Sequence, residues 1–197
     1  NDMKTQLDQR GLKNLVVWSR GVDLDMFSPD RRSQQGQKSL GPGPRILCVS
    51  RASNEKNLDV FCQLAVPGTK ILVGDGPELS RLQTQYPDVK YLGWKTGTEL
   101  ADIYANADVF VFPSVTDTFG VVMLESISTG TPVVAYNAIG PREVIEPGIN
   151  GFISQDLAQA IPQALLLDRD TVRQSSKKWT WEKCTEVFLE NLAVIKT

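Results

Sequence analysis

Two acids and two cations stand at spacings suited to holding a phosphorylated ligand. Asp117 lies where a loop meets a helix expected from about Thr118, and Glu125 follows eight positions later. A helix start offers free backbone N–H groups and the positive end of the helix dipole, which together can receive a phosphate or a sugar oxygen. Eight helical residues cover roughly 12 Å. An extended nucleotide-sugar could therefore touch the helix start at one end and Glu125 at the other. The plainer alternative is that Asp117 or Thr118 caps the helix and Glu125 is a solvated charge.

Arg51 and Lys56 share the stretch S-R-A-S-N-E-K-N. Arg as a planar fork and Lys as a point charge could clamp a diphosphate. A solvated loop with Glu55 as local partner is equally compatible. Gly74-Asp75-Gly76-Pro77 has two glycines that would let a ligand approach the backbone. It falls short of the full dinucleotide fingerprint and of a phosphate-binding loop ending in Lys-Ser/Thr, so it also reads as a simple turn. Trp94, Trp179 and Trp181 read as packing residues rather than stacking platforms.

The elements that must position these groups follow a regular rhythm from Arg45. Short apolar runs at 46–49, 70–73, 89–92, 109–112 and 133–136 alternate with helical stretches at 58–65, 78–86, 99–107 and 118–129. Further helical segments are expected at 141–145, 158–167 and 181–195, with a last short strand near 152–153. Continuous apolar strands alternating with helices imply buried parallel strands and right-handed crossovers. The fold class is therefore α/β, a doubly wound, mostly parallel, Rossmann-like sheet. Such sheets bind ligands beyond the carboxyl ends of their strands, and Arg51, Gly74–Gly76, Gly93–Trp94 and Asp117 all follow a strand. We divide the chain into an N-terminal segment and mobile Gly/Pro-rich linker (1–44, with one strand near 14–18), a Rossmann-like domain (45–168) and C-terminal helices (169–197).

Composition narrows the chemistry. The 197 residues are 41% hydrophobic and carry a net charge of −2, which fits a globular domain without a nucleic-acid-binding face. Three scattered cysteines form no CxxC pair, so a disulfide framework or zinc site is not expected and a reducing, cytoplasmic compartment is. No apolar run approaches a transmembrane length. Histidine is absent, which removes a Ser-His-Asp triad, a His-ligated metal and an imidazole base from this chain's own chemistry.

Taken jointly and in order, the motifs resemble the sugar-donor half of a GT-B glycosyltransferase, close to glycosyltransferase family 4. The resemblance runs through S-R-G-V-D at 19–23, R-x-x-x-x-K at 51–56, G-D-G-P at 74–77 and Y-L-G at 91–93. It continues in A-D-V-F-V-F-P-S at 107–114, the acid-x-F-G-x-x-x-x-E motif from Asp117 to Glu125, G-T-P-V-V-A at 130–135 and G-x-N-G-F at 148–152. It covers nearly the whole chain from about residue 14, and the acidic motif with its Gly-Thr-Pro strand is its most specific part.

The resemblance implies that this chain is the C-terminal half of a two-domain, retaining, metal-independent enzyme moving a hexose from a nucleotide-sugar to an acceptor hydroxyl. Arg51 and Lys56 would grip the diphosphate, and Glu125 would hydrogen-bond the ribose. Asp117 and the segment Thr118, Phe119, Gly120, Val121 and Val122 would hold the donor sugar. The base would lie near Gly74, Asp75 and Gly76 and the backbone of Gly93 and Trp94. No cofactor is implied, and a UDP-sugar is favoured over a GDP-sugar. The partner would be an N-terminal acceptor domain of the same enzyme, with a glycan or lipid acceptor and a cytoplasmic or peripheral-membrane location. Alone, the half would bind donor without turnover. Asp117 departs from the commoner Glu, which shortens the side chain by one methylene and leaves the sugar unnamed. A non-catalytic binding module and half of a GT-B-type epimerase are the alternatives.

Overall fold

The structure is a computed structural model and describes residues 2–192. After α1 (Asp2–Gln9) and α2 (Gln34–Leu40), strands and helices alternate: β1 (Arg45–Val49), α3 (Leu58–Gln63), β2 (Thr69–Val73), α4 (Leu79–Gln85), β3 (Lys90–Gly93), α5 (Gly97–Asn106) and β4 (Val109–Phe112). Then come α6 (Val121–Ser128), β5 (Val133–Ala135), α7 (Ile139–Val144), β6 (Gly151–Ile153), α8 (Leu157–Ala164), α9 (Arg169–Ser175) and α10 (Trp181–Glu190). The strands form one six-stranded sheet in the order β3-β2-β1-β4-β5-β6, and every pairing is parallel.

Each strand sends alternate side chains to opposite layers, as the period of two dictates. Leu47, Ile71, Phe110, Phe112 and Val133 face one core with α5 and α6; Ile46, Leu72, Val109, Val111 and Val134 face the other with α3 and α8. Burial on both faces explains why the runs are continuously apolar. The chain moves outward from β1 to β3, then returns to place β4 on the other side of β1. The adjacent carboxyl ends of β1 and β4 are therefore a topological switch point, where open α/β sheets leave a crevice.

Three expectations are corrected here. The strand at 14–18 does not form: Val16, Val17 and Trp18 run without sheet partners and are 51%, 43% and 51% exposed. An apolar run becomes a strand only where another edge accepts its backbone groups. The stretch expected as a mobile linker is instead tied down. Ser33 caps α2 by accepting from the Gly36 N–H, and the Ser33 N–H donates to Asn106 Oδ1 at 2.8 Å. Arg32 donates to the Ala105 and Ala107 carbonyls and to Asp108, and Leu40 is buried. Finally, α6 starts at Val121 rather than Thr118, because Gly120 adopts φ +86° and interrupts the helical path.

Among the described residues no helix is long and apolar enough to cross a membrane. The late helix ends at Glu190 rather than 195; Phe188 on it and Leu192 beyond it are 46% and 52% exposed. Ile195, expected on the same face, lies outside the described residues.

Candidate functional site

The loop leaving β1 and the loop leaving β4 meet across the switch point. Lys56 Nζ donates to Asp117 Oδ1 at 2.7 Å, bridging 61 positions of sequence. Asn57 Nδ2 donates to the Pro113 carbonyl at 3.3 Å, and Thr116 Oγ1 to the Glu55 carbonyl at 3.4 Å. Lys56 and Asp117 are each about four-fifths buried, so their attraction is weakly screened. The second carboxylate oxygen, Asp117 Oδ2, is buried with no hydrogen-bond partner. A buried anionic oxygen left unpaired is costly, and at a cleft it is acceptor capacity waiting for a donor. Arg51 sits exposed on the same loop and makes no ion pair among the described residues; the Glu55 carboxyl is held below its usual range chiefly by the Ser53 hydrogen bond, with smaller help from the Lys56 and Arg51 charges.

Asp117 is not at the helix start, as the sequence spacing suggests. Three residues separate it from α6, and the loop over those residues is shaped by Gly140. The Gly140 N–H donates to the Asp117 carbonyl at 3.2 Å, and a Cβ there would meet the Asp117 and Phe119 carbonyl oxygens at 2.8 Å. Only a residue without a side chain lets α7 approach so closely. Phe119 in turn packs edge-on against Trp179, with centroids 5.5 Å apart. Asp117, Thr118, Phe119, Gly120 and Val121 line a cavity of about 450 Å³, together with Arg20, Glu143, Trp179 and residues of α1.

Glu125 does not line that cavity, though it stands on the same face of α6 one turn beyond Val121, which does. Its Oε2 accepts from the hydroxyl of Tyr104 at 2.9 Å. Burial pushes the Glu125 carboxyl up, and the Tyr104 hydrogen bond offsets part of that rise. Glu125 is therefore no solvated charge.

The two glycines after β2 admit a neighbouring backbone. A Cβ at Gly74 would sit 1.9 Å from the Ser50 carbonyl oxygen, and one at Gly76 would sit 2.4 Å from that of Ala52. The backbone they admit is the chain's own β1 loop, held by Ala52 N–H donating to the Asp75 carbonyl at 2.8 Å. Gly93 is joined to the same group, its carbonyl accepting from the Gly74 N–H. Trp94 is 69% exposed and stacks on no other ring among the described residues, whereas Trp179 packs on Phe119. Val122 is half-buried in the first turn of α6. The structure thus joins Lys56 to Asp117–Val121 at the switch point, with Gly74–Gly76, Gly93 and Trp94 on the β2–β3 side.

Sequence reasoning did not single out Gly140, Tyr104, Glu143 or Arg20. Arg20 stands inside the quoted S-R-G-V-D motif, and Gly140 follows a strand, so both carried a positional signal. Tyr104 carried none, because a Tyr on an apolar helix face looks like any other core residue.

The molecule is a doubly wound α/β domain whose switch point holds a charged, partly unsatisfied cleft, the place where open sheets of this class leave room for a ligand. A family model described as Glycosyl transferases group 1 matches residues 43–167, and the chain belongs to that family. It is similar to a GDP-mannose-dependent alpha-mannosyltransferase of Corynebacterium glutamicum, 32% identical over 96% of this chain and 50% of the relative. It is also similar to a sulfoquinovosyl transferase of Arabidopsis thaliana, 35% identical over 87% of this chain and 38% of the relative. The chain thus spans half the length or less of these curated relatives. Its fold matches a crystal structure of an Anabaena protein, HepE, in complex with UDP, with a TM-score of 0.80 and 24% identity over 95% of this chain and 60% of that one. The doubly wound, Rossmann-like half of a GT-B fold expected from the motifs is the architecture observed.

Proposed function

We propose that this chain is the donor-binding half of a retaining, metal-independent hexosyltransferase, and that its donor is GDP-mannose or a closely related GDP-sugar. The observation carrying the reading is the Lys56–Asp117 contact across the β1/β4 switch point, beside an unpartnered buried carboxylate oxygen. Lys56 neutralises Asp117. An arriving diphosphate competes for the Lys56 ammonium and adds the Arg51 fork, which frees Asp117 to accept hydrogen bonds from the sugar hydroxyls. As the bond between the sugar carbon and the diphosphate oxygen breaks, negative charge grows on the leaving nucleotide. Arg51 and Lys56 stabilise that charge, and the acceptor hydroxyl oxygen forms the new bond to carbon while its proton passes to the departing diphosphate oxygen.

The choice of guanosine revises the sequence-based preference for uridine. The relative matched over 96% of the chain is named for GDP-mannose, while the UDP-bound structure, at 24% identity, speaks for the fold alone. Glu125 binds the ribose, and the Gly74–Gly76 and Gly93–Trp94 loops flank the base. Turnover requires the acceptor half, because half a cleft cannot align two substrates. The reading includes a reducing, cytoplasmic compartment, supported by Cys48, Cys62 and Cys184, which are buried and unbridged.

Calorimetric titration with GDP, UDP and ADP tests this. GDP should bind most tightly, and Arg51→Ala should weaken it severely. Absence of binding by all three nucleotides would sink the reading.

A further inference from the structure

Tyr104 is fully buried on α5, its ring held between Phe27 and Phe110 at centroid distances of 6.0 and 5.6 Å. Its main-chain carbonyl accepts from Thr131 Oγ1 at 2.8 Å, so the residue is fixed at both ends. Its hydroxyl donates to Glu125 Oε2. Among the described residues no Lys or Arg pairs with Glu125, and Oε1 makes no hydrogen bond while keeping contact with solvent. A carboxylate held by a cation would be neutralised and would compete poorly for a ligand hydroxyl. A neutral phenol fixes the geometry and leaves the charge.

We propose that Tyr104 is a positioning residue for ribose recognition: it occupies one oxygen of Glu125 and so presents the other as a fixed acceptor for the ribose hydroxyls. This rests on the reading of Glu125 as the ribose ligand. Burial beside the Glu125 carboxylate drives the phenol's own ionisation far above its usual range, so Tyr104 stays a donor at every physiological pH. Preorganisation is what the tyrosine contributes. Without it, Glu125 must give up side-chain freedom when the nucleotide binds.

The test compares GDP with 2′,3′-dideoxy-GDP, which lacks both ribose hydroxyls, by calorimetry on the wild type and three variants. Tyr104→Phe keeps the ring and its packing. It should weaken GDP about 5-fold, the scale of one ordinary hydrogen bond's net contribution, and leave dideoxy-GDP unchanged. Glu125→Ala should abolish the preference for GDP altogether. Thr131→Val loosens the helix anchor without touching the phenol, so it should lower the melting temperature and preserve the preference. An undiminished preference in Tyr104→Phe, or equal weakening of both nucleotides, overturns the role of Tyr104 while leaving Glu125 as the ribose ligand. An undiminished preference in Glu125→Ala, or no binding of GDP to the wild type, overturns the ribose assignment and the Tyr104 proposal with it.

Discussion

The two ends of the sheet treat their aspartates differently. At the amino end, Asp108 precedes β4 and uses both oxygens: Oδ1 accepts from Arg32 at 2.6 Å, and Oδ2 from the Arg45 backbone N–H and guanidinium, each at 2.8 Å. Nearby, the Arg169 guanidinium reaches the Ala105, Ala107 and Thr129 carbonyls and the Thr131 hydroxyl. At the carboxyl end of the same strand, Asp117 uses one oxygen on Lys56 and buries the other unpaired. The amino end is a satisfied joint that clamps residues 31–45 to the domain. The carboxyl end carries unmet hydrogen-bonding capacity, which lowers stability and is tolerated where a ligand supplies the partner.

The largest effect expected from breaking this contrast is at Asp108. Asp108→Ala strands two partly buried guanidiniums and should cost about 3 kcal/mol in denaturant unfolding, with nucleotide affinity almost unchanged. The same joint sets a pH dependence. Burial pushes the Asp108 carboxyl up, but the Arg32 hydrogen bond, the Arg45 N–H and both cationic charges outweigh it and hold it below the usual range. The folded value is depressed, so the stabilisation is present above the unfolded value near about 4 and is lost as pH falls from there through the folded value. Acid unfolding profiles of wild type and Asp108→Asn should therefore converge at low pH.

At the other end, Arg51→Ala should reduce nucleotide affinity about 30-fold, the scale of a charge-assisted contact to phosphate, without moving the denaturation midpoint. Such a shift in stability with unchanged affinity would reverse the roles assigned to the two ends. Gly140→Ala is expected to fall between them. Its Cβ meets two loop carbonyls, so the Asp117–Phe119 loop must shift at a cost of about 1–2 kcal/mol. That loss should be visible in binding of the intact GDP-sugar more than in binding of GDP, since the displaced loop is the one assigned to the sugar.

The smallest effect sharpens the comparison. The Glu125 carboxyl is raised by burial, so its folded form holds a proton more readily than the unfolded chain does. That favourable protonation is present below the unfolded value and lost as pH rises through the folded one. At neutral pH the charge is therefore a burden on stability. Glu125→Gln, which still accepts from Tyr104, should melt slightly higher at pH 7 than the wild type, with the gap closing in acid, while ribose recognition weakens.

The strands were read correctly where burial on two faces writes itself into a local run, as in Val109–Phe112 and Ile71–Val73. The misreadings share a cause. Leu15–Trp18 has the composition of a strand and no edge to pair with. The polar helix Gln34–Leu40 buries one large apolar residue, Leu40, too little to leave a period. Gly74 and Gly76 announced a close backbone approach, but not that the approaching backbone would be the chain's own.

By itself, the sequence determined the order of strands and helices, the parallel doubly wound class, the loops that would carry Arg51, Lys56 and Asp117, and the helix that carries Glu125. Apolar periodicity and loop chemistry are local properties, and a local reading recovers them. The tertiary structure alone decided which loops meet. That β4 returns to lie beside β1, bringing Lys56 to Asp117, depends on hydrogen-bond pairing between strands some sixty residues apart. That Tyr104 finds Glu125 depends on how α5 and α6 pack over the same face. Both are contacts between distant positions, and their energy is expressed only once the whole sheet has closed.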